Sequence, residues 1–297
     1  MTESNLFPGF TTHRIQTSGA EIRCVVGGTG PPLLLLHGYP QTHAIWRKIA
    51  PALAHRFTVV CADLRGYGDS SKPKSDPEHV AYSKRAMAQD MVELMDDLGH
   101  RRFLLAGHDR GGRVAHRLCL DHPDAVVRVA MLDISPTRIM YGKTDQAFAT
   151  AYYHWFFLIQ PFDLPERLIG ADPIYYLHWK LGSWGTGTAH FDPRAMAEYE
   201  RCFRDPATIH ATCEDYRAAA GIDLVHDAAD AEHRVTCPPL VLWGEKGVVH
   251  RLFKPLDDWR SVANNVRGKA LPCGHYLAEE EPHATLYELE TFFTDAS

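Results

Sequence analysis

The seven cysteines of this chain are an odd set and include no Cys-x-x-Cys pair, which argues against a disulfide framework or a thiolate metal site. Cys24, Cys61, Cys119, Cys202, Cys213, Cys237 and Cys273 are scattered, several within apolar runs, as reduced core cysteines are. No apolar run reaches the roughly 18 residues of a membrane span, and Met1 to Phe10 shows no basic-then-apolar leader pattern. Positive charge is not in excess: 31 Lys and Arg against 37 Asp and Glu give a net charge of −6, which leaves nucleic acid without an electrostatic footprint. The 18 histidines form no His-Glu-x-x-His or comparable ligand spacing, so no metal is expected. No repeats or low-complexity tracts stand out. Together these absences lead us to expect a soluble, cytoplasmic protein that binds neither membrane nor nucleic acid.

What is there is a strand–helix alternation. Runs at Glu21 to Val26, Leu33 to Leu36, Thr58 to Ala62, Phe103 to Ala106, Val126 to Leu132, Leu240 to Trp243 and Val266 to Leu271 read as strands. Helical periodicity falls at Trp46 to Leu53, Tyr82 to Leu98, Arg113 to Leu120 and Pro282 to Phe293. This pattern predicts an α/β fold with a mostly parallel central sheet and helices on both faces. Between about Thr137 and Val235 the alternation stops. The segment is aromatic-rich and lacks β-branched runs, and it reads as a helical lid after the sixth strand. The expected division is a core of residues 1–136 and 236–297 and a lid of residues 137–235.

The chain is organised around Gly107-His108-Asp109-Arg110-Gly111-Gly112-Arg113, a Gly-x-Asp-x-Gly turn between a buried strand and a helix. Such an elbow usually presents a serine. A carboxylate there attacks saturated carbon instead, and becomes an ester. The alternative reading of Asp109 is a helix cap. Asp133 follows the next strand and His275 the last one, giving the chain order nucleophile, acid, base. The acid has a second candidate. The seventh strand leads to Trp243-Gly244-Glu245-Lys246-Gly247, where an Asp would be expected near Gly247 and none stands. Asp133 is preferred and Glu245 is kept as the rival. In His37-Gly38-Tyr39-Pro40, the Tyr39 N–H with the Arg110 N–H would form an oxyanion hole; a tight turn is the plainer alternative.

On these residues the chain resembles the alpha/beta hydrolases, from about Gly9 to the C-terminus. Within them, Gly-His-Asp-Arg-Gly-Gly-Arg at 107–113 resembles the fluoroacetate (haloacetate) dehalogenases. Epoxide hydrolases usually have Trp where Arg110 stands. The resemblance implies halide binding by His154, Trp155 and Tyr216, substrate-carboxylate binding by Arg110 and Arg113, and a sixth-strand acid at Asp133. It implies a small haloacid substrate, no cofactor and a homodimer. The residues agree with part of this independently. Two cations at a helix start need an anion, either a substrate carboxylate or a lid aspartate. Departing fluoride needs several donors, and His, Trp and Tyr supply them. Tyr141 and Trp179 are possible pocket walls. The competing functions are an epoxide hydrolase using Tyr152 or Tyr153 with Tyr216, and a catalytically dead binding protein of the same fold.

Overall fold

The computed structural model describes residues 6–295; Met1 to Asn5 and the last two residues, which the expected core also included, lie outside them. Eight strands form one sheet: β1 (Thr11–Gln16), β2 (Glu21–Gly27), β3 (Pro32–Leu36), β4 (Thr58–Ala62), β5 (Phe103–His108), β6 (Val126–Leu132), β7 (Pro239–Gly244) and β8 (Arg267–Leu271). Their order is β1-β2-β4-β3-β5-β6-β7-β8. The β1–β2 and β2–β4 pairs are antiparallel, and every pair from β4–β3 to β7–β8 is parallel.

Strand periodicity divides the central leucines between two cores. Leu34, Leu36 and Leu105 face one layer, with Met91 and Met95 of the helix Lys84–Asp97 and Leu118 of the helix Arg110–Asp121. Leu33, Leu35 and Leu104 face the other, with Trp46, Leu53, Leu289 and Phe292. Burial on both faces explains why these strands read as continuous apolar runs.

Three local features differ from the sequence expectation. Strand β1 carries no apolar run, because it is an edge strand with Ile15 as its one buried residue. The stretch Trp46 to Leu53 is not one helix. It is a 3-10 turn, His43–Lys48, followed by the single turn Ala50–Leu53, and Pro51 at the junction has no N–H to carry a helical ladder through. The elbow helix starts at Arg110, not Arg113.

Eight helices, from Thr137–Gly142 to Ile222–Ala229, lie between β6 and β7. Several begin with Asp-Pro. Asp172, Asp192 and Asp205 each accept a first-turn N–H at a helix whose first residue is proline. Val235 already bridges Ala263 on the core side. Among the described residues, no helix is long and apolar enough to cross a membrane.

Candidate active site

Asp109 stands at φ +47°, a strained value for a residue with a side chain. Its carboxylate makes no cap hydrogen bond to the helix it precedes, so it is turned outward to the site. The flanking glycines make this turn possible. A Cβ on Gly107 would lie 2.4 Å from the Gly111 carbonyl oxygen, and one on Gly111 2.4 Å from the His37 carbonyl oxygen. The Tyr39 N–H donates to Asp109 Oδ1 at 2.9 Å. His37 holds that loop: its Nε2 accepts from the Leu64 N–H at 3.1 Å, which leaves Nδ1–H to donate to the Gly38 carbonyl at 3.0 Å. Burial favours a protonated Asp109, but His275, His108, Arg113 and Arg110 together outweigh it and hold the carboxyl below its usual range. The group is therefore an anion at neutral pH.

Asp133, at the end of β6 with φ +52°, accepts from His275 Nδ1–H at 2.6 Å and from the Gly244 N–H at 2.9 Å. Glu245 is exposed, and the His275 Nδ1–H goes to Asp133. The position after β7 where an acid would be expected lies next to Asp133: a Cβ on Gly247 would be in van der Waals contact, 3.6 Å, with both of its carboxylate oxygens. His275 Nε2 faces Asp109 Oδ2 at 4.0 Å, too far for a direct hydrogen bond, and is buried without a partner. Burial works against the charged imidazole, yet the Asp133 hydrogen bond and the charges of Asp133 and Asp109 raise the His275 pKa overall. His108 accepts no catalytic contact; its Nε2–H donates to the His275 carbonyl at 2.8 Å and so fixes that backbone.

Both arginines at the helix start are buried. Arg110 is partly used by an aspartate of the insertion. Its Nε donates to Asp215 Oδ2 at 2.9 Å and its Nη2 to Asp215 Oδ1 at 2.7 Å. Tyr67 and Lys84 bind the same carboxylate. The two compensating anions weighed from sequence are thus not exclusive: a lid aspartate takes one edge of Arg110, while Nη1 is buried with no partner. Arg113 donates through Nη1 to Thr137 Oγ1 at 2.8 Å and to the Ser135 carbonyl, and its Nε is buried with no partner. Unpaired buried donors of this kind cost stability and mark a place for an acceptor.

Above Asp109 the insertion supplies aromatic rings. Arg110 lies 4.2 Å from the Tyr216 ring centroid and Arg113 4.7 Å from that of Trp155. The His154 and Tyr216 rings are 5.4 Å apart, and those of Trp155 and Tyr216 6.4 Å. The Tyr216 hydroxyl and His154 Nδ1 are buried without partners. Burial, followed by Lys180 and the two arginines, keeps His154 neutral, well below the ordinary histidine range. Tyr141 packs 4.8 Å from Trp155 and Tyr152 is buried against His154, both lining this layer. Trp179 does not: it is more than half exposed and stacks on Tyr175. Tyr153 is also partly on the surface.

The model of the alpha/beta hydrolase fold family matches residues 31–282. The chain belongs to that family. It is 49% identical to a fluoroacetate dehalogenase from a Burkholderia species, over 98% of this chain and 96% of that protein. It is 35% identical to a soluble epoxide hydrolase from Corynebacterium sp. (strain C12), over 95% and 97% of the two chains. A solved structure from Nostoc sp PCC 7120, described as an alpha/beta hydrolase, superposes with a TM-score of 0.96 at 59% identity and covers 97% of this chain and 99% of its own. The protein is thus a hydrolase-fold enzyme that resembles a dehalogenase.

Two residues of this hydrolase site were missed from sequence. Asp215 had a signal, since two cations at a helix start required an anion. Trp184 had none beyond being one of many lid aromatics. Its ring lies 4.4 Å from His154 and 5.4 Å from His275, and its Nε1–H is buried without a partner. The one His and carboxylate group close enough to share an ion among the described residues is Glu166, His210 and Glu214. Arg217 already bridges those two carboxylates, at 2.7 and 2.6 Å, so a cation stands between them.

Proposed function

We propose that this protein hydrolyses the carbon–halogen bond of small 2-haloacids, with fluoroacetate converted to glycolate and fluoride. The observation that carries this reading is the pair of buried guanidiniums beside an ionised Asp109, each with an unpartnered N–H. A neutral substrate offers those cations no counter-charge; a carboxylate accepts from both and supplies one.

With the carboxylate held there, the substrate α-carbon meets Asp109. Such positioning can contribute roughly 7–11 kcal/mol to lowering the barrier. An Asp109 oxygen displaces the halide, which departs toward His154, Trp155 and Tyr216. The product of this step is an ester of Asp109. His275, held by Asp133, takes a proton from a water that attacks the Asp109 carbonyl carbon. The oxyanion is met by the N–H groups of Tyr39 and Arg110. Collapse returns the carboxylate with one oxygen from water and releases glycolate. The insertion, as a lid over residues 137–235, keeps bulk water from the charged groups.

Halide and glycolate release from fluoroacetate and chloroacetate, measured beside diol formation from styrene oxide, tests this reading. Halide release that disappears in Asp109→Ala supports it. Diol formation without halide release would move the function to the epoxide hydrolases, with Tyr152 and Tyr216 as the hydroxyl donors. No turnover of either kind would leave a binding protein. In an active protein, Arg113→Ala should lower kcat/KM for haloacids by about 100-fold, the worth of a buried charge-assisted pair. Any activity on uncharged substrates should change far less; equal losses on both would remove the carboxylate role from Arg113.

We also propose a homodimer. Phe162, Leu164, Leu168, Tyr175 and Trp179 of the insertion each expose half or more of a large apolar side chain; the first three line one surface hollow, and Tyr175 stacks on Trp179. Sedimentation equilibrium is expected to give twice the 33.4 kDa chain mass. A monomer at micromolar concentration contradicts the proposal.

A further inference from the structure

Lys180 is an ion in an unusual place. It sits in the insertion helix Pro173–Trp184, is 1% exposed, and has no ion pair or side-chain hydrogen bond among the described residues. Buried lysines are normally paired. Its ammonium instead lies 3.8 Å from the ring centroid of Tyr153 and 4.8 Å from that of Trp184. Trp184 in turn packs on His154 and His275 and points an unpartnered N–H into the buried layer. Two aromatic faces are a weak substitute for a counter-ion. The full counter-charge is missing, and the nearest place in the site where an anion would arise is the halide end of the pocket, beside His154.

We propose that Lys180 is a positioning residue for halide: its uncompensated ammonium, held behind Trp184 and His154, makes that end of the pocket positive and draws the departing anion toward their N–H groups. The inference rests on the haloacid reading and adds to it a charge that does not touch the reacting atoms. A cation behind a ring N–H strengthens that donor, and in a site of low dielectric it acts over several ångströms.

The arrangement also makes halide binding sensitive to pH. Burial lowers the Lys180 pKa to about 7. Below that value the ammonium is present and halide binding is strong; as pH rises through it the charge is lost and binding weakens. The groups around the Lys180 ammonium are Tyr153 and, through its charge, His154 from the helix Tyr153–Phe157, and Trp184 from its own helix; beyond Trp184 lies His275 in the loop after β8, where Tyr276 Oη donates to the Lys180 carbonyl at 3.5 Å. The tyrosines stay neutral, because burial and their neighbours raise them. His154 stays neutral because burial lowers it. His275 is the other histidine near this end of the pocket, and its pKa is raised by Asp133 and Asp109.

The test is titration of the purified protein with chloride and bromide at pH 5.5 to 9, followed by the fluorescence of the pocket tryptophans, for wild type, Lys180→Met and Lys180→Arg. Wild-type affinity is expected to fall about tenfold across this range. Lys180→Met should show the weak alkaline affinity at every pH, apart from any slope owed to His275. Lys180→Arg, which keeps its charge, should bind as tightly at pH 9 as wild type does at pH 5.5, apart from the same His275 slope seen in Lys180→Met. Wild-type-like affinity and slope in Lys180→Met, or a slope in Lys180→Arg equal to wild type, overturns the proposal, as does a wild type that binds no halide. If Lys180→Met does not fold, the Lys180→Arg profile alone decides between these outcomes. The haloacid reading fails separately: pH-dependent halide binding without fluoride release would leave Lys180 in its role and remove fluoroacetate as the substrate.

Discussion

Asp109→Asn should still bind fluoroacetate but lose steady-state fluoride release by about 10⁴-fold or more, since an amide cannot displace fluoride and nothing else in the site is placed to replace it. Asp109 is the one carboxylate facing His275 Nε2, at 4.0 Å, with the Tyr39 N–H on its other oxygen at 2.9 Å. The same wild-type residue should carry the isotope. In a single turnover in ¹⁸O-labelled water the label enters the Asp109 carboxylate, and glycolate takes its oxygen from the protein. Label found in glycolate after one turnover would mean that water attacks the α-carbon directly. Sustained activity in a verified asparagine protein, with no deamidation back to aspartate, would remove the nucleophile from Asp109 altogether.

His275→Asn should separate the two halves of the reaction. Ester formation does not need a base, so one equivalent of halide per site is expected in a burst. Ester hydrolysis then slows by about 10²–10⁴-fold, the usual worth of a positioned general base. Intact-mass measurement would find the chain carrying a carboxymethyl group, the ester of Asp109. In the wild type the hydrolytic step needs neutral His275. Its pKa is raised above the ordinary histidine value by Asp133 and Asp109 in the resting protein, and the hydrolytic rate should rise with pH through the midpoint of this histidine. Esterification cancels the Asp109 charge, which lowers that midpoint in the intermediate and frees the base when it is needed. Asp133→Asn should lower it further while slowing the reaction, because the imidazolium loses its 2.6 Å partner. Absence of a burst in His275→Asn, with full-rate turnover, would contradict this division of labour.

Much of this arrangement was legible in the sequence because it rests on backbone constraints. Gly107 and Gly111 are there for an elbow that tolerates no Cβ, and an apolar run followed by such a turn has few other readings. The strands of the sheet centre were visible for a related reason: buried on both faces, they consist of little but leucine, valine and alanine. Edge strand β1, half in water, left no such record. Side-chain partners across long sequence separation left even less. Asp215 is 105 residues from Arg110, and only the need for a counter-ion hinted at it. Lys180 and Trp184 form a pair with period four on one helix, a spacing that ordinary surface residues share. What set them apart is burial without a partner, a property of the folded chain.

Asp133 and Gly247 follow different strands, β6 and β7, and yet a Cβ at Gly247 would touch the Asp133 carboxylate that holds His275. A carboxylate can therefore reach this histidine from either of two neighbouring loops, and here the glycine stands on the loop that does not supply it. A reader who searches for an acid only after the seventh strand would take this chain for an inert descendant of an enzyme. The carboxylate is preserved as a place in space, and its address along the chain is free to drift.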